Sequence, residues 1–562
     1  MHHHLGLRSK MIIMLSVMAS LFLVALDQMV FTTSLGKIVE EFNSFSSLSW
    51  VLTAYMITTT ITVPIAGKLS DLFGRKIMLL IGIAVFAIGS LLGGMAAEMN
   101  QLILWRAFQG IGGGIITANT FAIVGDLFAA RERGKWQGLI GAVFGISSVA
   151  GPLIGGFLTE SNSVFGMTTN WRWTLLMNVP VAVIAFIIIV SICPSFKTRK
   201  KPVVDYLGTG LLAGALAILI LAIDNTEKIF ADVMASTGLS LVNLRIIMFS
   251  AVALSVVLLI LVERRAKEPV LPLYFFKNRN FVTIMAVALM FGAVFLGSIL
   301  YLTQFNQQVF GATPTQSGLM LLPMVGGLML TSVTVGQLIS RYGKYKIFMI
   351  SGFSLAAISV LLLLNLNPDT SYTYEAVVMF FLGMGMGVGM PTINLVVQNE
   401  FEQKDLGVAT SSSQLFRGLG STIGVAVFGA ILTASLVSNQ EAMTSSKYIQ
   451  LLKNNPAASQ MGNLDNSDTL LMLNTPGIKQ KITDEANKTF EKMPKQIQIK
   501  AKDDFISKQN EYALIVTKVY SSGMHMIFIV ASIVMTIATV VTMLIDEKPL
   551  RSAKPTDTPG EI

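Results

Sequence analysis

Asp27 and Arg106 are the residues of this chain whose types and placing could do chemistry. Each falls inside an apolar run, at residues 11–34 and 102–127 of a 562-residue sequence. An acid buried in hydrocarbon costs about 2.5–3.5 kcal/mol on insertion scales, so it is a functional hypothesis by default. Counting helical rise from the ends of the two runs puts Asp27 ~10 Å and Arg106 ~6 Å below one membrane surface. Opposite charges at similar depth can meet if their helices are neighbours. The pair could be a static tie between two helices. It could also be a protonation switch, because burial raises a carboxyl pKa and a nearby guanidinium lowers it, so a motion that separates them changes proton affinity.

Three further groups have the chemistry of a moving membrane machine. Gly67-Lys68-Leu69-Ser70-Asp71-Leu72-Phe73-Gly74-Arg75-Lys76 joins the apolar runs 48–66 and 77–97, so this hairpin must lie at a membrane surface. Gly67, Asp71, Gly74, Arg75 and Lys76 are its gate candidates, with the Asp71 carboxylate expected at a helix N-terminus, where negative charge is favoured. In the run 138–158, Gly141, Gly145, Gly151, Pro152, Gly155 and Gly156 combine glycines that admit a neighbouring backbone with a proline that frees a carbonyl. Gln28, Asn119, Gln304 and Asn394 are polar candidates for a substrate cavity, and Arg417 is a base inside a later run.

The elements that must hold these residues are membrane helices. The chain is 53% hydrophobic and 13% charged, against roughly 25% charged in soluble domains. Fourteen apolar runs approach the ~20 residues of a spanning helix: residues 11–34, 48–66, 77–97, 102–127, 138–158, 173–192, 206–223, 244–262, 281–305, 317–339, 347–364, 374–397, 406–437 and 525–545. Bases gather in alternate loops, at Arg75 and Lys76, 131–135, 197–201, 263–279 and 341–346. Short cytoplasmic loops collect Lys and Arg, so both termini are expected in the cytoplasm and the chain in the cell membrane. The net charge of +9 is then topology and implies no nucleic-acid partner.

A single cysteine, Cys193, excludes an intrachain disulfide and a cysteine metal cage. The sequence has no nucleotide-binding loop, catalytic triad or metal motif, so no enzyme activity, cofactor or metal is expected. His2, His3 and His4 read as a chain-end feature, and the first apolar run as a spanner rather than a signal peptide. Residues 438–522, rich in Lys, Asn, Gln and Ser, are expected outside, as a partly helical cap or a flexible loop.

The chain also repeats itself. A shift of 273 positions lays Gly110, Gly112 and Gly114 on Gly383, Gly385 and Gly387, and Gly134, Gly145, Gly151 and Gly156 on Gly407, Gly418, Gly424 and Gly429. Two six-helix halves follow, with two helices inserted between them, and a substrate site is expected at the midplane where parallel halves meet. Arg106 falls on Met379, and Ser340 stands where Asp71 would be. No acid lies clearly within a spanner of the second half, so ion coupling is expected in the first.

The Gly67–Lys76 hairpin resembles the loop signature of the major facilitator superfamily, G-x-L-x-D-x-x-G-R-(R/K), at every fixed position. Arg106-Ala107-Phe108-Gln109-Gly110-Ile111-Gly112 is similar to its helix 4 signature. Gly151-Pro152-Leu153-Ile154-Gly155-Gly156 resembles the antiporter signature of helix 5, with Ser147 in place of its first glycine. Trp50 to Tyr55, Asp126 with Arg131 to Gly134, Trp171-Arg172-Trp173, and Tyr301 through Gln308 to Pro323 resemble the fourteen-spanner drug:proton antiporters. The helix 1 pattern of that family is departed from at Met29, Phe31, Thr32, Thr33 and Gly36.

The resemblance implies an all-α facilitator fold: a bundle in residues 1–200, inserted helices in 201–267, and a second bundle in 268–562 that includes the 438–522 segment. It implies a monomeric proton-coupled antiporter exporting hydrophobic or cationic compounds, with a small-molecule substrate, protons and the bilayer as partners. Asp27 and Arg106 would carry the coupling, with proton and cationic substrate competing for Asp27. An exporter of one endogenous lipid or metabolite, and a transport-inactive sensor or envelope scaffold on the same fold, are the alternatives.

Overall fold

A computed structural model describes residues 6–42, 48–159, 163–164, 167–193, 204–223, 226–453, 464, 467–474, 476–491 and 494–550. The His2–His4 run and the basic loop 197–201 lie outside the described residues. Apart from a two-residue antiparallel ladder, Ser163–Val164 with Met167–Thr168, the regular structure is helical.

Among the described residues fourteen helices are long and apolar enough to cross a membrane. The first six are α1 (Arg8–Phe31), α2 (Trp50–Phe73), α3 (Arg75–Gly94), α4 (Met99–Leu127), α5 (Ala130–Thr159) and α6 (Trp173–Ile192). Two more are α7 (Tyr206–Ile223) and α8 (Leu241–Glu263). The last six are α9 (Arg279–Gln308), α10 (Thr315–Tyr342), α11 (Lys346–Asn365), α12 (Tyr372–Glu400), α13 (Leu406–Ser438) and α14 (Gln498–Met543). Large apolar side chains such as Leu207, Val242, Leu254 and Ile184 are more than half exposed, as a bilayer-facing surface requires.

Packing repeats with the sequence. In the first half α4 packs on α2 and α3, and α1 on α5 and α6; in the second, α12 packs on α10 and α11, and α9 on α13 and α14. The repeated glycines explain the match. A Cβ on Gly110 or Gly114 would strike α2 and one on Gly112 would strike α3; Gly383 and Gly387 abut α10 in the same way, and Gly385 abuts α11. Contacts of α5 with α10 and of α2 with α13 join the halves, and α7 pairs with α8 while resting on α2.

Three spanners that read as single runs are each interrupted once, at Met177, Leu321 and Val388. Each break lies two or three residues before a proline (Pro180, Pro323, Pro391), whose ring clashes with the carbonyl four residues back. The carbonyl freed by Pro391 belongs to Gly387, and it accepts the Ser332 hydroxyl of α10 at 2.7 Å.

The last spanner differs from the expected 525–545. It is part of one 49-residue helix, Lys495–Met543, ~74 Å long at 1.5 Å per residue and more than twice the ~30 Å hydrocarbon core. Its first half belongs to the 438–522 segment, so that segment is a cap in the described residues. The short helices Lys447–Lys453, Ser467–Leu473 and Pro476–Phe490 form it with this long helix. Tyr448, Leu470, Ile482, Phe505 and Tyr512 are buried in its core. The Tyr512 hydroxyl donates to the Leu470 carbonyl at 2.7 Å.

Candidate functional site

Asp27 and Arg106 do meet. Arg106 Nη1 donates to Asp27 Oδ2 at 2.6 Å, and both side chains are 1% exposed. The carboxylate takes two further donors, Gln109 Nε2 at 3.0 Å and Asn178 Nδ2 at 2.8 Å, both on Oδ1. Ser90 Oγ lies behind them, 2.6 Å from Gln109 Nε2. The Arg106 guanidinium is stacked between Phe31 and Tyr55, 4.3 Å from each ring centroid. Five spanners therefore converge on one carboxylate: α1, α2, α3, α4 and α6.

Sequence reasoning gave Gln109, Asn178 and Ser90 no role. Gln109 is three residues beyond Arg106, on the same helix face, and Asn178 is a solitary amide inside the apolar run 173–192. Those were the available signals.

A cavity of about 210 Å³ lies between the halves, lined by Gln28 and Met29 of α1, Thr59 of α2, Phe144 of α5, Phe295 of α9 and Arg417 of α13 among others. Of the four polar candidates only Gln28 lines it. Asn119 is buried in α4 and donates to the Ile115 carbonyl. Asn394 is enclosed by Ser413 and Gln414 at 2.7 and 2.8 Å. Gln304 accepts from Tyr520 of the long helix at 3.1 Å, towards the cap. Asp27 is likewise outside the lining, because successive helix residues point about 100° apart. Gln28 faces the cavity and Asp27 faces Arg106, so direct competition of a substrate for Asp27 has no basis in this geometry.

At the end of the bundle opposite the cap, three ties cross between halves. Asp71 accepts the backbone N–H groups of Gly407 and Val408 at 3.2 and 3.0 Å, at the start of α13. Arg75 also pairs with Asp71 and, through Nε, with Asp126 at 2.8 Å. In the pseudo-symmetric position Arg131, at the start of α5, donates to the carbonyls of Ser340 and Arg341 at 2.8 and 2.6 Å, where α10 ends. An anion at one helix N-terminus and a cation at one helix C-terminus both oppose the helix dipoles favourably. The third tie centres on Gln398 of α12, which accepts from Gln137 of α5 at 2.9 Å and donates to the Phe121 carbonyl of α4 at 3.0 Å.

Gly74 starts α3 with φ 98°, a conformation that a side chain strains, and Gly343 repeats it with φ 73° after α10. Lys76 reaches the Val190 carbonyl at 2.8 Å. A Cβ on Gly67 would stand 2.1 Å from Ser411 Oγ of the other half.

The α5 glycines divide their faces. A Cβ on Gly141 would meet Ser332 and Met390, one on Gly145 would meet α10, and one on Gly156 would lie 3.0 Å from Thr315, all across the interface. Gly151 faces α1, where a Cβ would be 2.2 Å from Met29 Cβ. Gly155 is buried and its carbonyl accepts from Thr159. Pro152 lies within the same continuous helix.

The second half does contain a buried acid, contrary to the expectation from sequence. Glu375, in the first turn of α12, is 0% exposed. It lies beside the side chain of Asn306 of α9. It was missed because it is the second residue of the run 374–397, which by sequence puts it at the edge of the spanner rather than within it.

Two pseudo-symmetric six-helix bundles around a central cavity, with ties that close one end, have the architecture of a membrane transporter. The profile of the Major Facilitator Superfamily matches residues 17–425, and the chain belongs to that family. It is 34% identical over 431 residues to the Multidrug transporter protein MdtP of Bacillus subtilis (strain 168), covering 76% of each chain. It is 33% identical to Multidrug resistance protein 3 of the same organism, over 75% of this chain and 79% of that one. Among solved structures, the human organic anion transporter MFSD10 (TETRAN) superposes with a TM-score of 0.56 at 16% identity, over 75% of this chain and 93% of that one. That likeness shows the fold alone.

Proposed function

We propose that this protein exports hydrophobic compounds across the cytoplasmic membrane in exchange for protons, with Asp27 as the proton carrier and Arg106 as its electrostatic partner. One observation carries the reading: a fully buried acid, met by a guanidinium and two amides from two other helices, adjoins a residue that lines the central cavity. An intramembrane acid of this kind is the standard hallmark of a proton relay. Relatives named as multidrug transporters support the efflux of drug-like compounds.

The basic end, with Asp71, Arg75 and Arg131, is assigned to the cytoplasm and the cap to the outside, in keeping with the distribution of bases. The ties at the basic end then make this the state closed to the cytoplasm. Coupling runs through the helices rather than by contact. A substrate pressing on α1 at Gln28 and Met29, or on α2 at Thr59, shifts the two helices that hold Asp27 and Tyr55, and Tyr55 supports Arg106. Cationic cargo is not part of the proposal, since the cavity lining offers no carboxylate among the described residues.

The test is uptake of a panel of neutral lipophilic dyes into inverted membrane vesicles. An imposed pH gradient, acid inside, should drive accumulation, and a protonophore should collapse it. Accumulation that ignores the proton gradient would refute proton exchange.

A further inference from the structure

We propose that the cavity takes amphiphiles bearing an acidic group, a carboxylate, sulfonate or phosphate on a hydrophobic body, and that Arg417 is the counter-ion for that group. The inference rests on the export reading above and names its substrate class.

Arg417 lies 11 residues into α13 (417 − 406), ~16 Å along the helix and about halfway across a ~30 Å hydrocarbon core. A guanidinium is a planar cation with a fork of N–H donors. The two fully buried arginines among the described residues have carboxylates, Arg106 with Asp27 and Arg75 with Asp71 and Asp126, whereas Arg417 is half-buried. Arg417 has none among the described residues. From its fork of donors one N–H meets a protein acceptor, the Met390 sulfur at 3.0 Å, and thioether sulfur is a weak acceptor. The ring centroids of Phe144 and Phe121, across the interface, stand 5.5 and 5.8 Å away. These are soft, neutral neighbours.

The surroundings do not supply the missing anion. Gln414, one turn before Arg417, donates to Asn394 and offers only a neutral amide oxygen, and the Ser421 hydroxyl, one turn after, is spent on backbone carbonyls. Phe295, Leu296 and Ile299 present an apolar wall. A desolvated cation facing such a wall matches a ligand with one acidic head and an apolar body, because a charge-assisted bond to a planar acid satisfies the fork. A cationic ligand would instead meet like charge.

Arg417 could also act only as a tie between halves through its two phenylalanine neighbours, and the experiment separates these roles. Purified protein in nanodiscs is titrated with pyrenebutyric acid and with its methyl ester, which differ in the ionised group. The wild-type protein should bind the acid at least about tenfold more tightly than the ester, as expected for a hydrogen-bonded buried charge. Arg417→Gln should bring that ratio close to one, and Arg417→Lys should restore part of it. Each variant is first checked as a monodisperse species. No acid preference in the wild type, or loss of affinity for acid and ester by the same factor in Arg417→Gln, would overturn the proposal. Vesicle uptake of a neutral dye, measured in parallel, keeps the two readings apart. Uptake without acid preference overturns only the substrate class, whereas absence of uptake of both the dye and pyrenebutyric acid overturns the export reading and this inference with it.

Discussion

Replacing Asp71 by Asn should open the end of the bundle that carries the basic loops. The size of the effect follows from which contacts change between states. Asp71 and Arg75 both belong to the first half, so their pairing persists when the halves separate and cancels from the difference. What is lost on opening is the contact of the carboxylate with the first-turn N–H groups of Gly407 and Val408 on α13. An anion at a helix N-terminus is worth about 0.3–1 kcal/mol when exposed and up to ~2 kcal/mol when partly buried. Asp71 is only 8% exposed, so the upper part of that range applies.

Asn keeps one acceptor oxygen and discards the charge, which costs the closed state about 1–2 kcal/mol. The closed-to-open ratio should fall roughly 5- to 30-fold. Spin labels on cysteines at Phe73 and Lys404 report it, one on each half beside the tie, after Cys193→Ser removes the native thiol. Phe73 is 42% exposed and the Lys404 side chain 72% exposed, so neither label should disturb packing. Pulsed electron spin resonance should show a short distance in the wild type and a growing long-distance population in Asp71→Asn. An unchanged distance distribution in that variant would refute the reasoning, and the loop would be a topological hairpin only.

Gly67→Val should act in the same direction and more strongly, since its Cβ would sit 2.1 Å from Ser411 Oγ and 2.8 Å from the Gly407 carbonyl; turnover should fall more than about tenfold, and wild-type turnover would contradict close helix approach in the cycle. Cysteine at Lys488, in the cap and 71% exposed, should react with an impermeant maleimide on intact cells, while cysteine at Lys404 should be protected until the membrane is opened. The reverse pattern would invert the assigned orientation. Tyr512→Ala removes a buried ring and its hydrogen bond to Leu470, a loss of about 3–5 kcal/mol by analogy with large aromatic truncations. Amide exchange in the helix Pro476–Phe490 should then accelerate markedly, and unchanged protection would contradict the cap core described above.

The parts of the molecule that were legible in the sequence are those set by local chemistry. Apolar runs fixed the spanners because hydrocarbon demands continuous apolar helix. The glycines at a 273-residue offset forecast a repeat because each marks a close helix crossing, and those crossings recur between the halves. The Asp27–Arg106 pair was legible from depth alone. Asn178 and Ser90 were not, because what selects them is the three-dimensional approach of α3 and α6 to α1. Arg417 was visible as a base within a run, but only the cavity shows that it has no acidic partner. Gln304 illustrates the converse: it looked like a cavity residue by type and depth, yet its partner is Tyr520, 216 positions away. For residues 438–522 the sequence left a cap and a flexible loop open, because the helices there are amphipathic and short, and it did not show that the last spanner continues into that segment as one helix.

Proton counterflow in proteoliposomes tests the central claim most directly. With a pH-sensitive dye trapped inside, an outward-directed flux of a transported compound should drive protons inward in the wild-type protein. Asp27→Asn should purify as a folded species and exchange substrate down its own gradient with no accompanying proton movement. Proton movement of wild-type size in Asp27→Asn, or uphill transport by that variant against a substrate gradient, would contradict the account and leave the Asp27–Arg106 pair a structural tie.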